Sequence, residues 1–131
     1  MYNKEILALE DVKRIVRAAE AEALRNNWNL VIAIVDDGGH LMYLQREKVQ
    51  LGSIDVAITK AKTALMFRRP TLFWEKTVAD GRQGYLALNK MLPIEGGIPL
   101  RHNDEIVGAI GVSGVKSSED GQIAQAGADA L

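Results

Sequence analysis

Residues 95–114 constrain this chain more tightly than any other stretch. Glu95-Gly96-Gly97-Ile98-Pro99-Leu100 leads through the tight turn Asn103-Asp104 into Glu105-Ile106-Val107-Gly108-Ala109-Ile110-Gly111-Val112-Ser113-Gly114. The pattern is a β-hairpin whose second strand has exchanged side chains for glycine. Glycine weakens a strand interior, so Gly108, Gly111 and Gly114 predict that something approaches the backbone closely: a packed helix, another subunit or a ligand.

The rest of the chain supplies the elements around that hairpin. A helix is predicted over Leu9–Asn27, with Val12, Ile15, Val16, Ala19 and Ala23 on one face. Glu10 and Asp11 fall in its first turn, where the helix dipole favours negative charge. Leu30–Val35 and Leu41–Leu44 are strands joined by Asp36-Asp37-Gly38-Gly39, a composition suited to a hairpin turn. The first of these strands is apolar on both faces, which predicts helices on both sides of the sheet. Ser53 is the expected N-cap of a helix carrying Ile54, Ala57, Ile58, Ala61, Ala64 and Leu65, ended by Pro70. A short helix capped by Thr71 follows, then a partly helical stretch over Asp80–Lys90 and a short edge strand over Leu92–Ile94. The last helix, Ser117–Leu131, opens on the acidic turn Ser118-Glu119-Asp120. The order is helix, two strands, two helices, three strands, helix, and the short connections make the sheet antiparallel. The expectation is an α/β chain of the α+β type, forming one domain over residues 1–131.

Composition removes several kinds of chemistry. The chain has no cysteine, which excludes disulfides, iron–sulfur clusters, thiolate-bound zinc and a cysteine nucleophile. Its net charge of −1 is a poor footprint for nucleic acid, which needs basic groups to displace phosphate counterions. No apolar run approaches the roughly 20 residues that span a bilayer, and the first residues lack the basic and apolar blocks of a secretory leader. The expected setting is the cytoplasm, with no nucleic acid and no membrane as partner. Charge is nonetheless uneven: Leu44–Arg69 holds six basic residues against Glu47 and Asp55, while Glu95 to Leu131 holds six acidic residues against two basic ones. Such asymmetry suits either a small anionic ligand or complementary subunit surfaces.

No phosphate-binding glycine loop, dinucleotide fingerprint or zincin motif occurs. Gly111-Val112-Ser113-Gly114 lacks the spacing of a nucleophile elbow, so Ser113 is expected to bond nearby backbone. His40 follows Asp36 and Asp37, and an imidazole beside carboxylates is the arrangement of a general base or of a cation site. The same Asp-Asp-Gly-Gly run also serves a turn on conformational grounds alone. Lys60 and Thr63 share a helix face, and with the N–H groups of Gly96 and Gly97 they are candidates for holding a carboxylate or propionate. Arg101, emerging from a strand, offers a bidentate fork to the same kind of group. Phe67, Phe73 and Trp74 are spaced either as core or as a platform for a flat cofactor.

Three separated blocks carry a family resemblance: Val35-Asp36-Asp37-Gly38-Gly39-His40-Leu41; Gly52–Ala57 with Lys60-Ala61-Lys62-Thr63-Ala64; and Glu95–Pro99 with Val107–Gly114. Together they resemble the GlcG/HbpS family of haem-binding and haem-degrading-type proteins, similar also to the C-terminal domain of PduO corrinoid adenosyltransferases. The resemblance implies a profilin-like sandwich, with a five-stranded antiparallel sheet between helices and assembly into dimers or larger even oligomers. It further implies a small-molecule ligand, with haem as the cofactor to expect. Haem binders of the family take an axial histidine from the first helix, and Leu9–Asn27 contains none. His40 is then the metal ligand this chain offers, with Lys60, Thr63, Gly96, Gly97 and Arg101 around the carboxylates. The alternatives are an accessory enzyme acting on a small organic acid, with His40, Asp36 and Asp37 as its catalytic group, and a non-catalytic oligomeric partner protein.

Overall fold

Strand β1 (Val31–Asp36) sets the layering, because its side chains alternate between two separate apolar environments. In the computed structural model, which describes residues 1–131, β1 lies inside a sheet with β2 (Leu41–Arg46), β3 (Gly97–His102) and β4 (Glu105–Ser113). The strand order is β2-β1-β4-β3, antiparallel throughout. Ile32 and Ile34 point to one face, where they join Ile110 and Val112 of β4 against helices α1 (Leu9–Arg25) and α4 (Ser117–Ala128). Val31, Ala33 and Val35 point to the other, against Ala57, Ala61 and Ala64 of helix α2 (Gly52–Met66). Helices on both faces, expected from the doubly apolar first strand, are what the sheet carries. No helix is long and apolar enough to cross a membrane.

The glycine-rich strand has a specific occupant on its α2 side. A Cβ on Gly111 would stand 2.0 Å from the carbonyl oxygen of Ala57 and 2.6 Å from the amide nitrogen of Ala61, and one on Gly97 would stand 2.2 Å from the Lys60 carbonyl oxygen. At Gly111 the packed helix is what approaches, whereas a Cβ on Gly108 would meet the Val35 carbonyl oxygen at 2.5 Å and one on Gly114 would meet Leu30 Cα at 2.7 Å. The helix answers in kind, presenting alanine where the sheet presents glycine and alanine. The hairpin turn is also as expected: Asn103 and Asp104 both take positive φ, 49° and 64°, the backbone of a two-residue turn matched to strand twist.

The fifth strand does not form. Leu92–Ile94 has no ladder partner, because its backbone donors are taken by side chains or spent locally. The N–H of Leu92 donates to Thr63 Oγ1 at 3.1 Å, that of Glu95 to Glu75 Oε1 at 3.1 Å, and that of Ile94 to the Leu92 carbonyl at 3.0 Å. Pro93 has no N–H to give. The sheet therefore has four strands, not five.

Two expected caps are also displaced by tertiary demands. Helix α2 begins at Gly52 with Leu51 as its N-cap, leaving Ser53 buried inside the first turn. Helix α3 (Thr71–Ala79) is preceded by Pro70 as N-cap. The Thr71 hydroxyl is fully buried and accepts the N–H of Gly97 at 2.9 Å. Thr71→Val keeps the shape and orphans that N–H, so it should destabilise by about 1–3 kcal/mol. Urea unfolding measures this, and a loss within error of zero would show that the bond contributes nothing.

Candidate functional site

The convergence expected between the central helix and the Gly96-Gly97 loop does occur, but Lys60 itself fills the space. Its side chain is 2 % exposed, and its ammonium donates to Asp120 Oδ2 at 3.0 Å and to the carbonyl oxygen of Val112 at 3.0 Å. Gly96, with φ 133°, lies directly over that ammonium; a Cβ there would stand 2.8 Å from Nζ. Asp120, expected only as part of an acidic first turn, instead reaches inward and also accepts the N–H of Val115 at 3.1 Å. Burial pushes the Asp120 carboxyl above the usual carboxylate range, against the pull of Lys60. Glu95, packed over Gly121, is likewise raised by burial and by the nearby charge of Glu75. This is an internal ion pair holding α2, β4 and α4 together, and Lys60, Gly96 and Gly97 are all buried.

The carboxylates beside His40 are committed elsewhere too. Asp36 Oδ1 accepts the N–H groups of Gly38 and His40, both at 2.9 Å, which shapes the turn. Burial would raise the Asp36 carboxyl, but these donors and the His40 charge outweigh it and hold the group below its usual range. Asp37 Oδ2 lies 2.5 Å from Lys4 Nζ. Neither carboxylate orients the His40 imidazole, so the sequence-level picture of a general base with its orienting acid loses its second member. Arg101 donates to the Arg68 carbonyl at 3.3 Å, tying β3 to the end of α2.

What remains is a cleft of about 700 Å³ between the β1–β2 turn, the outer half of α2 and residues 89–90. His40 enters from the turn, with its imidazole exposed and folded over Gly38. Met66 and Phe67 supply apolar wall, Lys62 and Lys90 supply cations, and Thr59 and Asn89 add neutral polar groups. Thr63 also lines the cleft, but its hydroxyl is spent: it donates to the Thr59 carbonyl at 2.8 Å and accepts the Leu92 N–H. Of the residues singled out from sequence, the cleft brings together His40 and Thr63 and excludes Asp36, Asp37, Lys60, Gly96, Gly97 and Arg101. Sequence reasoning did not choose Lys62 over Lys60 and missed Met66 and Lys90 altogether, all three of which line the cleft. Lys62 was recoverable, because two residues along a helix is a turn of about 200°, so Lys60 and Lys62 cannot both face the sheet.

An α+β sheet protein with an open, mixed cationic and apolar cleft is the class that these features define. Within it the chain matches the family described as haem degrading protein HbpS-like over residues 7–129, and it belongs to that family. It is similar to Protein GlcG of Escherichia coli strain K12, with 37% identity over 114 residues, covering 86% of this chain and 85% of GlcG. Among solved structures, a PduOC:haem complex superposes with TM-score 0.86 at 27% identity, covering 97% of this chain and 96% of that one. HbpS superposes with TM-score 0.89 at 28% identity, covering 100% and 94%.

Proposed function

We propose that the protein binds haem, or a closely related flat anionic molecule, in the cleft at His40. The observation that carries this reading is the composition of the cleft: one exposed imidazole, two lysines and an apolar wall, with no group of three metal-ligating side chains anywhere in the molecule. A bare divalent metal asks a protein for three or four ligands. Porphyrin iron brings four nitrogens of its own and asks for one or two axial donors, which a single histidine satisfies. The donor set therefore fits haem better than a free ion. Lys62 and Lys90 would take the propionates, and Phe67 and Met66 would cover part of the macrocycle. Haem would supply an iron centre whose behaviour follows its axial ligand; the chain's part is to hold, orient and partly shield it. Membership of the HbpS-like family and likeness to a PduOC:haem complex support the same ligand.

Titration of the purified protein with hemin should give a saturable Soret shift. Because loss of even an outer partner of a metal ligand costs roughly 10–100-fold, His40→Ala should weaken binding by at least that much. A shift identical in wild type and His40→Ala removes the ligation. The acid-acting enzyme reading has no orienting carboxylate to support it, since Asp36 and Asp37 are engaged with backbone and with Lys4. Assembly into a homo-oligomer is part of the proposal, supported by Leu41 and Leu44 exposed on the edge strand β2; light scattering after gel filtration reads it.

A further inference from the structure

The segment between α3 and β3 is built as a strap beside this cleft. Of residues 81–90 only Tyr85 is partly shielded from solvent, and Leu86 and Leu88 are 54 % and 39 % exposed. Both ends of the strap turn through left-handed backbone, φ 103° at Gly81 and 61° at Lys90. Around Gly81 and Gly84 there is open space, with no atom within 4 Å of where a Cβ would stand. Few residues need to change φ and ψ for such a segment to swing.

Its attachment to the body is confined to its first residues and one ring. The N–H groups of Gly81 and Arg82 donate to the Val78 and Thr77 carbonyls at 3.0 and 3.2 Å, Gln83 Nε2 donates to the Val78 carbonyl at 2.9 Å, and the Tyr85 ring lies 4.9 Å from that of Trp74. Trp74 is 7 % exposed, and its indole N–H has no acceptor. A buried donor without a partner is rare in a finished arrangement, and here it lies in the side chain on which the strap is seated. The same indole meets Phe67 edge-on at 5.6 Å, so a short run of rings joins the wall of the cleft to the strap. At its far end the strap supplies Asn89 and Lys90 to the cleft rim.

We infer that residues 81–90 close over the cleft when a flat apolar ligand occupies it, laying Leu86 and Leu88 against the ligand face opposite Met66 and Phe67. This rests on the cleft being the haem site. Without a ligand, closure would bring two leucines over the polar Thr59 and Lys62 of α2, which offer little apolar contact. With a macrocycle in place it removes apolar surface of both partners from water. The ligand thus binds the closed form better than the open one, which is the condition for shifting the equilibrium.

Trypsin tests this on the intact protein, since Arg82 and Lys90 lie in the strap while Lys48 is exposed in the connection between β2 and α2. Saturating hemin should slow cleavage after Arg82 and Lys90 by about tenfold or more, with cleavage after Lys48 unchanged. The double variant Leu86→Ser/Leu88→Ser should release hemin about tenfold faster to an apo-globin acceptor, while the exposed Leu24→Ser on α1 releases it at the wild-type rate. A His40-dependent Soret shift with an unprotected strap and unaltered release removes the closure and leaves the haem site standing. Absence of any Soret change removes both.

Discussion

Lys60→Met is expected to destabilise the protein by about 3–5 kcal/mol, because it strands the Asp120 carboxylate in a site that is nearly inaccessible to water. The methionine fills a similar volume, so the loss reports on charge rather than on a cavity. Its pH dependence gives a second check. The folded-state pKa of Asp120 is raised above its unfolded value by burial, so the native state favours the proton. The stability tied to this group is full below the ordinary aspartate range and declines as pH rises through the folded value. Removing Lys60 removes an attraction that lowers that pKa, so the upward shift grows and the variant's deficit should be larger at pH 8 than at pH 5. The double variant Lys60→Met/Asp120→Leu should recover most of the loss, since exchanging both partners of a buried pair for apolar groups is often close to neutral. Chemical unfolding across that pH range measures all three. A deficit of Lys60→Met that is small and constant with pH would mean that water reaches the pair.

Gly111→Ala is expected to cost at least about 3 kcal/mol, at or beyond the upper end for overpacking a core. The obstruction is backbone rather than a side chain that can rotate aside: the carbonyl oxygen of Ala57 lies 2.0 Å from the new carbon. Gly111 is also paired on both sides, with Ala33 of β1 and Gly97 of β3, so the strand cannot retreat without breaking two ladders. Either α2 lifts off the sheet or the central strands buckle, and the first would disturb the wall of the cleft that α2 carries. Gly84→Ala, with open space around the added carbon, provides the comparison and should be within about 0.5 kcal/mol of wild type. Thermal unfolding reads the difference, and equal midpoints for the two variants would sink the close-packing account.

Two features of the fold were legible because they are local or periodic. The doubly apolar Leu30–Val35 demanded cover on both faces, and Asn103-Asp104 demanded a tight turn, which the folded chain makes with positive φ at both residues. Leu92–Ile94 misled because strand propensity says nothing about partners. In the folded chain the Leu92 N–H meets Thr63 Oγ1 and the Ile94 N–H turns back to the Leu92 carbonyl before any ladder can claim them. Lys60 misled for a related reason. Lysine is read as a solvated charge, yet this one stands three residues after Ala57 and four before Ala64 on the buried stripe of α2. Its position pointed inward while its chemistry pointed outward, and only a counterion 60 residues away, Asp120, reconciles the two.

The amino-acid order by itself determined the succession of the helices and of the four strands that form, the hairpin turns, the small residues where helix meets sheet, and the family. Those follow from periodicity and from the steric freedom of glycine, which act over a few residues. Tertiary structure alone decided which carboxylate meets the interior lysine, which acids are spent on turns, and that His40, Lys62, Phe67 and Lys90 border one cleft. Side-chain direction across elements depends on how α2 lies on the sheet and on where the 81–96 segment returns, and that information is carried by contacts between residues far apart in the chain.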